Sequence, residues 1–187
     1  MKLIIGLGNP EDKYTGTRHN VGFSMLDMLA DELSGTFQDK AKFKALIAEV
    51  SVQGEKVLLA KPTTYYNLSG EAMRLIADFY KIAPQDILII HDELALPLAT
   101  LRTRLGGSDA GNNGIKSINE QGGTNSGRIR IGIWSELRDR MDDVTFVLGR
   151  FSSEEQATLK TLQPTVLTLT EAFIKDSFGP TTHRAGE

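Results

Sequence analysis

Residues 3–22 read LIIGLGNPEDKYTGTRHNVG, and this stretch decides the fold. It starts with a short apolar run, which is typical of a buried strand, and then breaks at two glycines and a proline. Asn9 follows this strand at the edge where open α/β sheets usually carry their sites. Asn20 is a favourable N-cap residue, so we expect a helix to begin at Val21.

His19 lies in the same stretch, beside a turn and just ahead of the predicted helix. A histidine on an apolar helix face is usually a satisfied core residue. Here the neighbours Arg18 and Asn20 are polar, and this setting favours a functional role for His19.

Apolar strands and amphipathic helices alternate along the rest of the chain. Residues 45–52 and 57–60 read as a hairpin, and residues 87–90 form a second strongly apolar strand that runs into Asp92. No repeat, low-complexity tract or long linker divides the sequence. We therefore expect one domain over residues 1–187, of the α/β class with a mixed β-sheet.

The C-terminal part carries one more helical pattern. Apolar residues recur at helical spacing over about residues 153–176, which predicts a C-terminal helix with a kink at Pro164. The chain from about residue 179 is predicted to form a loose tail.

Composition restricts the class of protein. With 40% hydrophobic and 24% charged residues, the chain has the balance of an ordinary globular protein. No apolar run approaches the roughly 20 residues that a membrane span requires, and the N-terminus lacks a signal-peptide pattern. We therefore expect a cytoplasmic protein without a membrane partner. The absence of cysteine excludes cysteine-ligated metals, and only three histidines are present, so we predict no metal site.

Charge is unevenly distributed along the chain. The formal net charge is −3, but residues 102–130 include five basic and two acidic residues. Arg102 and Arg104 alternate with Leu101, Thr103 and Leu105 in one predicted strand, and Arg130 lies in another, so each strand presents guanidinium groups on one face. A basic face of this kind can attract phosphate. A solvated surface of mixed charge is the alternative.

Five polar residues follow apolar strands or lie in glycine-rich loops, where the sheet edge can bring them together. A histidine paired with an aspartate can activate water, because the carboxylate fixes the imidazole tautomer and leaves the other ring nitrogen to accept a proton. Asparagine amides suit an anionic substrate, since they donate hydrogen bonds without repelling phosphate. These residues are Asn9, His19, Asn67, Asp92 and Asn113.

Common nucleotide and metal motifs are incomplete. Gly6 and Gly8 match the start of a dinucleotide fingerprint, but Glu11 stands at the third glycine position and Pro10 would disrupt the helix start. No serine lies in a nucleophile-elbow pattern, which favours direct attack by water. Residues 91–93 (HDE) cannot direct three ligands at one ion from a single strand.

Together, these segments resemble the bacterial-type peptidyl-tRNA hydrolases, in the same order over most of the first 150 residues. The matching motifs are IIGLGNP at 4–10, YTGTRHNVGF at 14–23, KPTTYYNLSG at 61–70, ILIIHDELALP at 87–97, LGGSDAGNNGIKSI at 105–118 and RIRIGI at 128–133. The resemblance implies a three-layer α/β sandwich with a twisted mixed β-sheet flanked by helices. It also implies a monomer that hydrolyses the ester bond between peptide and tRNA without a cofactor, recycling tRNA during translation.

The resemblance implies roles for individual residues. His19 is expected to activate water, Asp92 to stabilise His19, and Asn9 to separate N-blocked peptidyl-tRNA from free aminoacyl-tRNA. Asn113 is expected to contact the substrate and to steady the charge that develops on the attacked carbonyl. The other expected contacts are Tyr14, Tyr65 and Asn67 for the CCA end, and Arg102, Arg104 and Arg130 for the acceptor-stem phosphates.

The chain departs from the family pattern at several positions. Glu11 replaces a glycine, Tyr66 a methionine and Asn112 a histidine, and residues 108–110 (SDA) make the loop before Asn113 poorer in glycine. The departures concern the shape of the peptide groove and the mobility of the loop, since Ser, Asp and Ala have less backbone freedom than glycine. They leave the expected base and its partner intact.

From the sequence alone, two other functions stay open. One is a non-catalytic RNA-binding protein on the same scaffold, which the presence of both His19 and Asp92 argues against. The other is a small-molecule nucleotide binder, which a nucleotide would stabilise against heat while tRNA would not.

Overall fold

A computed structural model describes residues 1–185, whose strands form one eight-stranded sheet. The strands are β1 (Lys2–Gly6), β2 (Gln38–Lys40), β3 (Ala45–Val52), β4 (Glu55–Pro62), β5 (Ile87–Pro97), β6 (Thr100–Leu105), β7 (Gly127–Trp134) and β8 (Thr182–Arg184). Across the sheet they follow the order β2-β3-β4-β1-β5-β7-β6-β8.

The centre of the sheet is parallel and its two sides are antiparallel. β1 pairs in parallel with both β4 and β5, and β5 pairs in parallel with β7. The pairings of β2 with β3, β3 with β4, β6 with β7 and β6 with β8 are antiparallel. The predicted mixed sheet and hairpin are confirmed, and the parallel strands end at a common edge.

Helices cover both faces of the sheet. They are α1 (Val21–Glu32), α2 (Ser69–Tyr80), α3 (Asn113–Ile118), α4 (Asp143–Leu148), α5 (Ser153–Lys160) and α6 (Gln163–Ile174). Ile4 of β1 packs in an apolar cluster with α1 and α6, whereas its neighbour Ile5 packs in a second cluster with α2 and α3. These layers are the expected three-layer α/β sandwich. Within residues 1–185, no helix combines the length and apolar character needed to cross a membrane.

Gly6 and Gly22 let the first helix approach the sheet where β1 ends. A Cβ atom on Gly22 would lie 2.6 Å from the backbone N and O of Leu7, and one on Gly6 would lie 2.8 Å from the carbonyl carbon of Gly22. Both distances are too short for a real Cβ contact, so only glycine fits at these positions. The start of α1 is therefore held against the edge of the sheet that carries the predicted site.

The C-terminal segment contains two helices, so the prediction of a single helix over residues 153–176 is wrong. α5 ends at Lys160, and α6 begins at Gln163 with Pro164 in its first turn. Proline lacks the N–H group that continues a helix, and its ring clashes with the carbonyl four residues earlier. In this chain that carbonyl belongs to Lys160, so Pro164 starts a new helix instead of kinking one.

The prediction of a loose tail from about residue 179 is wrong for Thr182–Arg184. These residues form β8, which covers the outer edge of β6. Without β8, the N–H and C=O groups along that edge of β6 would be unpaired. Thr103 Oγ1 also donates to the carbonyl oxygen of Gly179 at 2.6 Å, which holds the chain ahead of the strand. Residues 186–187 of the predicted tail lie outside the described part of the chain.

The substitution Gly22→Ala should lower the free energy of unfolding by about 3 kcal/mol, because the added methyl group would collide with backbone atoms that cannot move aside. Gly179→Ala is the matched control, since a Cβ atom there would meet no atom within 4 Å. Denaturant unfolding followed by circular dichroism measures both variants. If the two were equally stable, the close packing of α1 on β1 would be contradicted.

Candidate active site

The two principal candidates meet where β1 ends beside β5. Asp92 lies in β5, two residues past Ile90, which is the partner of the last residue of β1. His19 lies in a short 3-10 turn, Arg18–Asn20, that leads into α1. His19 Nδ1 is 2.9 Å from Asp92 Oδ2, although the residues are 73 positions apart in sequence. The predicted proximity of this imidazole and this carboxylate is therefore present.

Asp92 is buried, with 3% of its surface exposed. Burial by itself would raise the pKa of this carboxyl, but the charge of His19 and the hydrogen bonds from His19 and Tyr66 hold the pKa below its usual value. Tyr66 Oη donates to Asp92 Oδ1 at 2.5 Å, so both carboxylate oxygens have a partner. Asp92 is thus a charged acceptor at neutral pH.

His19 is oriented from two sides. The Asp92 carboxylate accepts a hydrogen bond from Nδ1, which assigns the proton of the neutral imidazole to Nδ1 and the lone pair to Nε2. The imidazole also stacks on the ring of Tyr66, with ring centroids 3.5 Å apart and planes inclined by 14°. Because His19 lines a cavity, a water molecule there could transfer a proton to Nε2.

The cavity has a volume of about 610 Å³, which is large enough for the end of a substrate. Its polar lining includes all the predicted catalytic and CCA-end residues, and half of its apolar lining comes from α4. The polar residues are Asn9, Tyr14, His19, Tyr65, Tyr66, Asn67, Asp92, Glu93, Asn112, Asn113, Arg138 and Asp143, and the apolar residues include Leu94, Val144, Val147 and Leu148.

Asn20 holds the loop that carries Asn9. The backbone N–H of Asn9 donates to Asn20 Oδ1, and Asn20 Nδ2 donates to the carbonyl oxygen of Asn9, both at 2.9 Å. The helix does begin at Val21, but the Asn20 side chain makes no capping hydrogen bond. The predicted cap is wrong because this side chain is committed to Asn9, a use that the local sequence does not reveal.

The side chain of Asn9 is fixed in one orientation. Its Oδ1 accepts a hydrogen bond from the backbone N–H of Tyr66 at 2.8 Å. The Nδ2 group is therefore the part of the amide that remains for a ligand, and that group can only donate.

Asn67 and Asn113 reach the cavity from two helix starts. Asn67 lies in a 3-10 turn, Tyr66–Leu68, directly before α2, and Asn113 is the first residue of α3. Asn112 caps α3, since its Oδ1 accepts a hydrogen bond from the backbone N–H of Ile115 at 3.0 Å. Within residues 1–185, the amides of Asn67 and Asn113 have no hydrogen-bond partner, so both are available to a ligand.

The loop before α3 contains a strained position. Ala110 has a φ of +50°, in the left-handed region, where a glycine would be unstrained. The Oδ1 atom of Asp109 accepts a hydrogen bond from the backbone N–H of Gly111 at 2.8 Å, which supports this conformation. The loop thus keeps a backbone shape that favours glycine although residues 108–110 contain none.

Tyr14 and Tyr65 lie at the cavity beside an acidic residue. Tyr65 is 57% exposed, and its hydroxyl donates to Glu11 at 2.9 Å. Lys13 pairs with Glu11 at 2.9 Å, and its ammonium group lies 4.9 Å from the centre of the Tyr14 ring. Glu11 thus links two of the expected substrate contacts, Tyr65 directly and Tyr14 through Lys13.

The predicted basic residues share a face of the sheet but differ in how their charge is used. Arg102 is opposite Arg130 and Arg104 is opposite Arg128, so all four side chains start from the same face. Arg102 is exposed and Arg104 is half-buried. Arg130 Nη2 lies 2.8 Å from Glu93 Oε2, so its charge is paired. Glu93 also lines the cavity, which places this basic face beside it.

Arg128 is a structural residue, although it contributes to the basic count of the segment. It is 2% exposed and donates to the carbonyl oxygen of Ser108 at 3.0 Å and to Asn119 Oδ1 at 2.6 Å. Burial, together with the positive charges of Arg104 and Arg130, lowers its pKa to about 10. Arg128 therefore anchors the loop before α3 and does not face solvent.

Sequence reasoning did not identify Tyr66 and Asn112 as parts of the site. Asn112 Nδ2 donates to Tyr66 Oη at 2.9 Å, so these two residues contact each other. No local signal separates the buried Tyr66 from the exposed Tyr65 next to it. Within residues 1–185, no group of three or more histidine, cysteine, aspartate or glutamate side chains is placed to hold a metal ion.

Comparisons with known proteins agree with the motifs. The family model of peptidyl-tRNA hydrolases matches residues 3–186. The peptidyl-tRNA hydrolase of Ligilactobacillus salivarius is 46% identical over 160 residues, which are 85% of each chain. That of Desulfitobacterium hafniense is 48% identical over 161 residues, covering 86% of this chain and 85% of the relative.

A solved structure gives the same answer for the fold. The crystal structure of peptidyl-tRNA hydrolase from Acinetobacter baumannii is similar to this chain with a TM-score of 0.86 and 36% sequence identity. The similarity covers 94% of this chain and 89% of that protein. The chain therefore belongs to the peptidyl-tRNA hydrolase family, which its motifs had indicated.

Proposed function

We propose that this hydrolase cleaves the ester bond between a peptide and the terminal ribose of tRNA, with water activated by His19 and Asp92, and so recycles tRNA during translation. The observation that supports the mechanism most directly is the 2.9 Å contact between His19 Nδ1 and Asp92 Oδ2 in a cavity lined by asparagine amides. The names of the relatives agree with this substrate.

In the proposed reaction, His19 Nε2 accepts a proton from a water molecule whose oxygen attacks the ester carbonyl. The charge of Asp92 stabilises the imidazolium that forms. When the tetrahedral intermediate collapses, the bond to the ribose oxygen breaks and His19 returns its proton to that oxygen. The products are the peptide with a free carboxyl group and the tRNA with a free terminal hydroxyl.

Two amides have separate roles in the proposal. Asn113 donates a hydrogen bond to the carbonyl oxygen as negative charge develops on it. The hydrogen bond from the backbone N–H of Tyr66 turns the Asn9 oxygen toward that backbone and leaves the Nδ2 donors for the substrate. A donor is complementary to the acyl oxygen of an N-blocked substrate and cannot accept a hydrogen bond from the ammonium of a free aminoacyl-tRNA. We infer that this difference selects peptidyl-tRNA.

The remaining cavity residues bind the substrate end. Tyr14 and Tyr65 can stack on the unpaired bases of the CCA end, as aromatic side chains commonly do with single-stranded RNA. Asn67 supplies a hydrogen-bonding amide in the same region. The apolar residues Leu94 and Val144 give the peptide an apolar surface that does not depend on one side chain.

Arg102, Arg104 and Arg130 contact acceptor-stem phosphates in this proposal. Within residues 1–185, Arg102 and Arg104 form no ion pair, so their charge is available to RNA. Arg130 shares its charge with Glu93 and contributes less. Phosphate contacts carry no sequence information, which suits an enzyme whose substrates share an end and a shape.

We also propose that residues 1–187 form a single domain that acts as a monomer in the cytoplasm without a cofactor. The continuous sheet, with one apolar cluster on each face, supports the single domain. General-base hydrolysis of an ester by a histidine and an aspartate supports a reaction without a further group. Sedimentation at assay concentrations tests the monomer.

His19→Ala should lower kcat/KM for N-blocked aminoacyl-tRNA by about 10²–10⁴-fold, the range that a general base contributes. The assay follows release of the labelled, blocked amino acid, with free aminoacyl-tRNA as a parallel substrate. His183→Ala, in β8, is the matched control and should keep wild-type activity. Full activity of His19→Ala would refute the assignment of the base.

Asp92→Asn should fold but lose at least about tenfold in kcat, because the amide cannot stabilise a charged His19. Its stability should also respond less to acid. The folded-state pKa of Asp92 lies below the unfolded value of about 3.8, so the wild-type carboxylate contributes stability above that pH and loses it as the pH falls through the folded pKa. Kinetics and denaturant unfolding from pH 7 to pH 3 measure both effects. Unchanged pH profiles would argue against the pairing.

Arg104→Ala should raise KM for full-length peptidyl-tRNA more than for a minimal substrate that carries only the CCA end, because only the full substrate reaches the basic face. The slope of log(kcat/KM) against log[salt] should fall in magnitude by about 1, as expected for the loss of one phosphate contact. Lys160→Ala, an exposed cation on α5, is the control. Equal effects of Arg104→Ala on both substrates would exclude a phosphate contact.

A further inference from the structure

Tyr66 contacts both members of the proposed catalytic pair. Its hydroxyl donates to Asp92 Oδ1 at 2.5 Å, and its ring stacks on His19 with a centroid separation of 3.5 Å. Tyr66 is only 2% exposed, so water does not compete for these contacts. One side chain thus limits the movement of the carboxylate and of the imidazole at the same time.

The direction of each hydrogen bond around Tyr66 follows from Asn112. Asn112 Oδ1 accepts a hydrogen bond from the backbone N–H of Ile115, so the other end of this amide, Nδ2, is the group that faces Tyr66. Nδ2 can only donate, and the phenolic oxygen must therefore accept. The single proton of the Tyr66 hydroxyl is left for Asp92. The hydrogen bonds then form one continuous series. It runs from the start of α3 through Asn112 and Tyr66 to Asp92, which also accepts from His19.

The backbone and the ring of Tyr66 are both fixed by contacts with neighbouring residues. Its backbone N–H is bound by Asn9 Oδ1 at 2.8 Å, and its carbonyl oxygen accepts a hydrogen bond from Ser69 Oγ at 2.7 Å. A Cβ atom on Gly114 would lie 2.7 Å from Cδ1 of the Tyr66 ring, so α3 packs directly against that ring. The ring is therefore packed between α3 and the imidazole of His19.

We infer that Tyr66 is a positioning residue for the activation of water, which holds Asp92 by its hydroxyl and His19 by its ring, and that Asn112 orients the Tyr66 hydroxyl. The inference rests on the proposed function of the His19–Asp92 pair. Tyr66 acts through Asp92 and His19 and need not touch the reacting atoms.

The charges around Asp92 give the inference a measurable consequence. His19 and Tyr66 contact the Asp92 carboxylate, the charge of the buried His91 also acts on it, and Glu93 acts on Tyr66. Burial and the charge of Asp92 raise the pKa of the Tyr66 phenol well above its usual value, so Tyr66 stays neutral and can donate. Its hydrogen bond is one of the contacts that keep the pKa of Asp92 low, after the opposing effect of burial and the larger effect of His19. Removal of the hydroxyl should therefore raise that pKa.

The first variant is Tyr66→Phe, which removes the hydroxyl and keeps the ring. We expect kcat for N-blocked aminoacyl-tRNA to fall about tenfold, the scale of one hydrogen bond to a charged group, with KM changed less than about twofold. The acid limb of the pH–rate profile, where the coupled His19–Asp92 pair takes up a proton, should move to higher pH, because a carboxylate of higher pKa holds that proton more tightly. Tyr80→Phe, a partly buried residue that packs beside Phe43, is the matched control and should show neither change.

The second variant tests the next hydrogen bond in the series, the one that Asn112 donates to the Tyr66 hydroxyl. Asn112→Ser keeps an oxygen that can cap α3 but is too short to reach Tyr66, so it should shift the acid limb in the same direction by a smaller amount. If Tyr66→Phe fails to fold, Asn112→Ser decides the question. A Tyr66→Phe change made in an Asp92→Asn background should cause little further loss, because both act through one hydrogen bond.

The outcomes separate this inference from the proposed function. If the wild-type protein does not hydrolyse N-blocked aminoacyl-tRNA, the proposed function itself fails. If the wild type is active and both folded variants keep its kcat and its acid limb, the positioning role of Tyr66 is overturned while the His19–Asp92 assignment stands. If Tyr66→Phe lowers kcat by the same factor in the Asp92→Asn background as in the wild type, Tyr66 does not act through Asp92.

Discussion

The close contact between Gly6 and Gly22 is the constraint on which the site depends. Side chains at these positions would push α1 away from β1, since each Cβ atom would overlap backbone atoms of the facing element. The turn that carries His19 directly precedes α1, so the depth of this helix fixes the distance from His19 to Asp92. A hydrogen bond is lost with a displacement of less than 1 Å. Two glycines in the core therefore control the geometry of a polar pair at the surface of the cavity.

The sequence predicted those parts of the fold that depend on local pattern. Buried strands, the start of α1 and the meeting of His19 with Asp92 follow from apolar runs and from the common edge of parallel strands. β8 could not be predicted in this way, because a strand of three residues has no periodicity and forms only where β6 offers an unpaired edge. Pro164 indicates a disruption of the helix, but whether a proline kinks one helix or separates two depends on how the flanking segments pack.

The candidate site shows a similar limit for charge and polarity. A sequence counts Arg102, Arg128 and Arg130 as equal cations, whereas the fold buries Arg128 and pairs Arg130 with Glu93. The exposure of a side chain decides whether its charge can contact RNA. That exposure depends on how the whole sheet is packed and cannot be read from the local sequence. Asn20 is a comparable case. An asparagine at this position predicts a helix cap, but in the fold its side chain hydrogen-bonds to the backbone of Asn9 instead.

The burial of Asp92 explains why Tyr66 and Asn112 belong together. A buried carboxylate is costly unless both of its oxygens have partners, and His19 can satisfy only one of them. A tyrosine satisfies the other oxygen without adding charge, but its own buried oxygen then requires a donor, which Asn112 provides. Each residue meets a requirement created by the previous one, so a change at either position leaves a buried polar group unpaired. Tyr66 and Asn112 therefore form one physical unit, whose effect reaches His19 through Asp92.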